Sequence, residues 1–319
     1  MSTKADRTVD RIQQRLVDYS RRLRYEKLPD TTIHAAKVRL IDTLGALIGG
    51  FDGEPCRIAR KTAARVPDSG GATVIGTAGM TTPDLAAFVN GTTARYVEMN
   101  DVYHWPGSSG GHPSDVVAPI LSTAEHARAG GRELIGAIVL GYEIYLRLSD
   151  AVHSAGFDPT NFCTLGTAAA AGTLVRLSPE QLAHCIAMAA APSNILKSVR
   201  TGHLSMWKAV AAGHAGRAGV FSALLARDGM DGPSLPFEGA GGWCAHVAGK
   251  RFSLDVMGGD ATLFMRDDAV ETAWKFVMPI LSYWEQERAL NLPEYQCGTW
   301  GPVEADRLIE ADGRTWRTL

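Results

Sequence analysis

Apolar side chains recur every three or four residues through most of the chain up to Arg227, the spacing that lays one stripe along an α-helix. Between Asp10 and Arg24 the stripe is Ile12, Leu16, Tyr19 and Leu23. After Pro29 and Asp30 a second helix presents Ile33, Ala36, Leu40, Leu44 and Leu47 and stops at Gly49 and Gly50. Ala72 to Gly76 (ATVIG) predicts a short strand. Thr82 and Pro83 then predict a helix start, with the hydroxyl as N-cap and proline in the first turn. Further helices are predicted to begin near Ser114, Arg132 and Thr164, and Ser178 and Gln181 have the spacing of a capping box. Alanine-rich runs at 168–172 and 187–191 suit close helix–helix approach. A long helix is predicted from Ser205 to Arg227, ending at Asp228 and Gly229 and followed by a Gly/Pro-rich stretch to Trp243. The fold class is mainly α.

Bulk properties narrow the picture. The 319 residues are 45% hydrophobic and 21% charged, with a net charge of −2, a globular profile without a basic stripe. Nucleic acid and membrane are therefore not expected partners. The five cysteines, Cys56, Cys163, Cys185, Cys244 and Cys297, are scattered and form no CxxC, so neither a disulfide framework nor a bound metal is expected. The polar N-terminus has no apolar leader, no stretch reaches the ~18 apolar residues of a membrane span, and a cytoplasmic location is expected.

Two segments carry candidate chemistry. Residues 95–115 gather Glu98, Asp101, His104 and His112 around a Gly/Ser loop that opens a new helix at His112-Pro113-Ser114. Free N–H groups at a helix start favour an anion, but an ordinary surface loop capped by Ser114 or Asp115 fits equally. Residues 197–208 hold Lys197, Arg200, His203, Ser205 and Lys208. Lys208, Ala212 and Gly216 share one helix face, so the lysine either extends to solvent or meets an anion. Phe157-Asp158-Pro159-Thr160 is turn-like and says little alone. There is no P-loop, nucleophile elbow or dinucleotide fingerprint.

Taken in order, RLIDTLGALIGG (39–50), GHPSDVVAPILSTAEH (111–126), LSMWKAVAAGHAGRAGVFSALLARDGMDGP (204–233) and FEGAGGW (237–243) resemble the MmgE/PrpD family, whose members include 2-methylcitrate dehydratase. The resemblance implies a multi-helix large domain over residues 1–255, a homodimer, no cofactor, and a hydro-lyase of propionate catabolism acting on a small di- or tricarboxylate. It implies catalytic roles for His112, Asp101 and Glu98, and binding of the substrate by Lys208, Ser114 and Ser205. Glu98 stands where the family usually has aspartate, Val102 replaces a hydroxyl residue, and Pro159 replaces a histidine. The family's lid domain would follow FEGAGGW; here residues 256–319 are instead similar to the extreme C-terminus of glucose-6-phosphate dehydrogenase. That short α-rich extension predicts an amphipathic helix from Ala269 to Glu285, whose Trp274, Phe276 and Trp284 need an apolar surface, and a closing helix after Pro302. Without a lid, a second reading stands beside the lyase: a non-catalytic remnant that keeps the helical fold and its dimer surface. A decarboxylase or epimerase of the same fold is a third.

Overall fold

The computed structural model describes residues 9–104 and 106–254 and, further on, 279, 282–283, 293, 295, 302–311, 313 and 315. The chain divides into two units, Met1–Phe264 and Met265–Leu319. The predicted helix from Ala269 to Glu285 lies outside the described residues, as do Cys297 and the burial of Trp274, Phe276 and Trp284. In the second unit α11 (Val303–Glu310) follows Pro302 as expected.

The first unit is built of helices: α1 (Arg11–Arg22), α2 (Asp30–Gly50), α3 (Glu54–Ala63), α4 (Pro83–Tyr96), α5 (Val117–His126), α6 (Gly131–Ala151), α7 (Thr160–Leu174), α8 (Pro179–Ala190), α9 (Trp207–Arg227) and α10 (Trp243–His246). The stripe read on α1 is its buried face, with Ile12, Leu16 and Tyr19 in the core. Asp10 caps α1 by accepting from the Gln13 N–H at 3.0 Å. Its other oxygen accepts the N–H groups of Phe237 and Glu238, tying the two ends of the unit together. The capping box of α8 forms in both directions, between the Gln181 N–H and Ser178 Oγ and between the Ser178 N–H and Gln181 Oε1.

Local chemistry moved two predicted boundaries and changed how a third, the start of α4 at Thr82 and Pro83, is held. The strand expected at 72–76 is instead β1 (Pro67–Thr73), paired antiparallel with β2 (Met80–Thr81). Gly76 takes a φ of 85°, turning the chain where the strand was expected to continue. The Thr82 hydroxyl does not cap the α4 backbone; it donates to Asp84 Oδ1 at 2.7 Å. Helix α7 starts at Thr160, ahead of Thr164, because Asp158 accepts both the Thr160 N–H and its hydroxyl.

Helix α9 is the centre of the unit, packed on α4, α7 and α8. By length and composition it is the one described helix apolar enough to cross a membrane, and 67% of that stretch is buried, as in a core helix. Its neighbours come close enough to exclude side chains. A Cβ on Gly213 would lie 2.5 Å from the Phe88 carbonyl of α4, and one on Gly219 would lie 2.7 Å from the Thr164 carbonyl of α7. Glycine at these points is what allows three helices to share one seam.

Candidate active site

Helix α4 ends at Tyr96, and two residues later Glu98 takes a φ of 55°, a left-handed turn that a residue with a Cβ adopts at some cost. The turn leaves the Glu98 carboxylate between Arg95 Nη1, at 2.9 Å, and Lys208 Nζ on the first turn of α9, at 3.1 Å. Burial pushes this carboxyl up, but the two cations outweigh it, and its pKa lies below the ordinary value.

The loop that follows is pinned to α6. Tyr103 pairs with Gly111 through its N–H and donates its hydroxyl to Asp150, while the Ser109 N–H reaches the Ser149 carbonyl at 2.8 Å. Gly111 has a φ of 120°, and a Cβ there would run into the Tyr145 hydroxyl. That hydroxyl accepts the His112 N–H at 3.0 Å, which sets the histidine backbone.

His112 Nδ1 lies 2.8 Å from the Asp101 carbonyl. A carbonyl only accepts, so Nδ1 carries the proton and the Nε2 lone pair is left available. Desolvation first, and then Arg95, hold the imidazole pKa below its ordinary value, which favours this neutral form. The Asp101 carboxylate is spent on structure. Oδ1 accepts the Ser114 N–H at 3.0 Å, and Oδ2 accepts the Tyr142 hydroxyl at 3.0 Å with Arg39 Nε 3.8 Å away.

His112 opens onto a cleft of about 630 Å³ together with Arg95, Glu98, Asp115, Lys197 and Arg200. Of the residues expected from sequence, His112 and Glu98 line it, and Lys208 is joined to it through Glu98. Asp101 stands behind His112 outside the lining. Ser114 is buried with its hydroxyl unpartnered, also outside the lining. Ser205 lies on the exposed approach to α9, where its hydroxyl accepts the Trp207 N–H at 3.3 Å.

Four cleft residues were missed as functional candidates. Arg95 is 1% exposed and Asp115 is 5% exposed, with Arg95 Nε 3.5 Å from Asp115 Oδ1. Arg200 Nε is held at 2.6 Å by Asp158, the residue that also caps α7. Arg200 lay in the second candidate segment without a role of its own, while Asp115 and Asp158 look like an ordinary cap and turn in sequence. Arg95 gave a signal of its own, a guanidinium near the end of a helix that carries no other charge after Asp84.

Among the described residues no group of three or more His, Cys, Asp or Glu side chains gathers as metal ligands. The cleft thus sets a histidine with its proton on Nδ1 beside two carboxylate–guanidinium pairs, Arg95–Glu98 and Arg200–Asp158, with Lys197 also in its lining.

Residues 14–255 match the MmgE/PrpD N-terminal domain. The chain belongs to the MmgE/PrpD family. This MmgE/PrpD chain is similar to cis-aconitate decarboxylase of Homo sapiens, with 28% identity over 291 residues, 86% of this chain and 58% of that protein. Residues 244–317 match the C-terminal domain of glucose-6-phosphate dehydrogenase. Over 71 residues the segment is 57% identical to glucose-6-phosphate 1-dehydrogenase of Aggregatibacter actinomycetemcomitans, and over 68 residues it is 52% identical to that of Mycolicibacterium smegmatis. These stretches are 22% and 21% of this chain but only 14% and 13% of those enzymes. The chain thus spans little more than half of the decarboxylase and about a seventh of the dehydrogenases.

Proposed function

We propose that the chain is a lyase of small di- or tricarboxylic acids, with dehydration of the 2-methylcitrate type as its reaction. The observation that carries this reading is a histidine whose proton is fixed on Nδ1, facing a cleft bordered by cations. Loss of water beside a carboxylate needs a base for a weakly acidic C–H and positive charge where electron density accumulates. His112 Nε2 supplies the base. Arg200 and Lys197 supply charge in the cleft lining, and Lys208 supplies it beside the cleft, where Glu98 holds it. Asp101 acts through His112, fixing its tautomer with a carbonyl and the start of the next helical turn with its carboxylate.

The likeness to human cis-aconitate decarboxylase favours a second reaction on the same class of acid, loss of carbon dioxide in place of water. It too needs a held carboxylate and a proton moved at the neighbouring carbon. One assay separates the two. The protein is incubated with 2-methylcitrate, citrate and cis-aconitate, and both alkene formation and released carbon dioxide are followed. Alkene without carbon dioxide is the expected result, and His112→Ala is expected to lower kcat by about 10²–10⁴-fold. Carbon dioxide release selects the decarboxylase, and turnover that His112→Ala and Lys208→Ala leave unchanged refutes the site.

A further inference from the structure

Three carboxyl groups and two guanidinium groups share the lining of the cleft. Arg95 lies 2.9 Å from Glu98 and Arg200 lies 2.6 Å from Asp158, so each guanidinium already has a close carboxylate. Asp115 is the carboxyl left over. Its nearest cation is Arg95 Nε at 3.5 Å, and neither of its oxygens accepts a hydrogen bond although the residue is 5% exposed and lines the cleft. An ionised carboxylate in that position would be desolvated and incompletely paired, which a bound proton relieves.

We propose that Asp115 is the acid of this site, a buried carboxyl that in its protonated form gives its proton to the departing hydroxide. The assignment rests on the lyase reading above and adds to it the group that completes the reaction. His112 Nε2 takes the proton from carbon, the C–H electron pair forms the C=C bond, and the C–O bond breaks. Its electrons leave on oxygen, which takes the Asp115 proton and departs as water. The site is then left with an imidazolium and a carboxylate, and a proton moved from one to the other restores it, so no oxidant or co-reactant is needed. Asp115 follows His112 by one 3₁₀ turn, its N–H reaching the His112 carbonyl at 3.1 Å, so acid and base sit on one rigid segment.

The surroundings agree. Arg95 on α4 and Arg200 on the turn at 197–200 pull the Asp115 pKa down. Asp101 from the loop and Asp158 ahead of α7 push it up, and Tyr145 of α6, Cys163 of α7 and His112 are the other titratable neighbours. Burial is the largest influence, and the carboxyl is raised to about 7.

The test uses Asp115→Asn, which keeps the shape and removes the titration. In the wild type, the rate of water loss is expected to fall on the alkaline side as Asp115 ionises. In the variant kcat is expected to drop by about 10²-fold or more and that alkaline fall to disappear. Exchange of the substrate C–H with deuterated water, which needs only His112, is expected to persist within about threefold. A variant that keeps its rate and its alkaline fall overturns the assignment. Infrared difference spectra between acid and alkaline pH add a readout independent of turnover. A buried-carboxyl carbonyl band is expected to vanish as the pH rises through about 7, and to be absent from Asp115→Asn. If no such band exists, Asp115 is not a stored acid. If the band is present but none of the three acids is turned over or exchanged, the lyase reading fails and the acid role falls with it.

Discussion

The pairing of α4 with α9 changes character along its length. Where Gly213 of α9 meets α4, and about one and a half turns on where Gly219 meets α7, the seam is made of glycine, alanine and threonine packed until no extra carbon fits. At the other end, where α4 runs out at Tyr96 and α9 begins at Trp207, the same two helices hold Arg95, Glu98 and Lys208 beside a carboxyl with no hydrogen-bond partner. The seam is built for contact, with each neighbour at its closest approach. The cleft keeps a buried carboxyl without a hydrogen-bond partner, a state that costs stability unless the group holds a proton. One helix is thus closely packed in its middle and charged at its start.

The largest effect that distinguishes the two regions is a pH dependence confined to the cleft. The Asp115 carboxyl is raised in the folded chain to about 7 from the ordinary carboxyl value of 3.8, chiefly by burial. A raised carboxyl binds its proton more tightly folded than unfolded. Its contribution to stability is therefore complete below the unfolded value and is lost as pH rises through the folded one. Three pH units correspond to roughly 4 kcal/mol. Urea unfolding of wild type against Asp115→Asn should show the wild type losing stability, relative to the variant, between about pH 4 and pH 7. Parallel curves would erase the contrast between seam and cleft. His112 has the opposite sign: its lowered pKa makes its contribution present above the ordinary histidine value and lost as pH falls through it.

The seam should ignore pH and respond to volume. A Cβ on Gly219 would meet two backbone atoms of α7, the Thr164 carbonyl at 2.7 Å and the Ala168 nitrogen at 2.8 Å, and backbone cannot swing aside as a side chain can. Gly219→Val is expected to cost about 3 kcal/mol or more at every pH, read from the same unfolding curves. A loss under 1 kcal/mol would mean that the helices can separate without penalty, and the seam would no longer be the tight half of the comparison.

How much of this was legible beforehand follows the range of the interactions. The stripe of α1 and the capping box of α8 are set by neighbours within a few residues, and both were read from the sequence. The strand near Ala72 was misplaced because Gly76 was counted as its end and not as a turn that displaces it. Helix α7 was started late because the Asp158 cap was not recognised in the Phe157-Asp158-Pro159-Thr160 turn. Glu98, His112 and Lys208 all stood out in their segments, and the family resemblance supplied the roles expected of them. The set formed by Arg95, Asp115, Asp158 and Arg200 was out of reach. These residues are separated by up to 105 positions (95 to 200), and nothing but the packing of α4, α7 and the 197–200 turn brings their charges together. Asp115 in particular has the sequence appearance of a helix cap; only its missing partners single it out.

The smallest change in stability is expected where the two regions adjoin. Lys208 lies on the same face of α9 as Ala212 and Gly216, yet its ammonium is one-third exposed and its partner Glu98 more so, at 33% and 41%. Solvent screens such a pair, and Lys208→Met should change unfolding stability by less than about 1 kcal/mol, with the aliphatic stem retained. Binding should respond differently. An anion entering the cleft would compete with Glu98 for this ammonium, and a lost charged hydrogen bond of roughly 1.5–3 kcal/mol predicts citrate affinity at least tenfold weaker by calorimetric titration. If Lys208→Met instead destabilises the chain as strongly as Gly219→Val while leaving citrate binding intact, the Lys208–Glu98 pair is a brace of the helical core. The boundary between seam and cleft would then lie beyond the first turn of α9, and the cationic wall of the site would be reduced to Lys197 and Arg200.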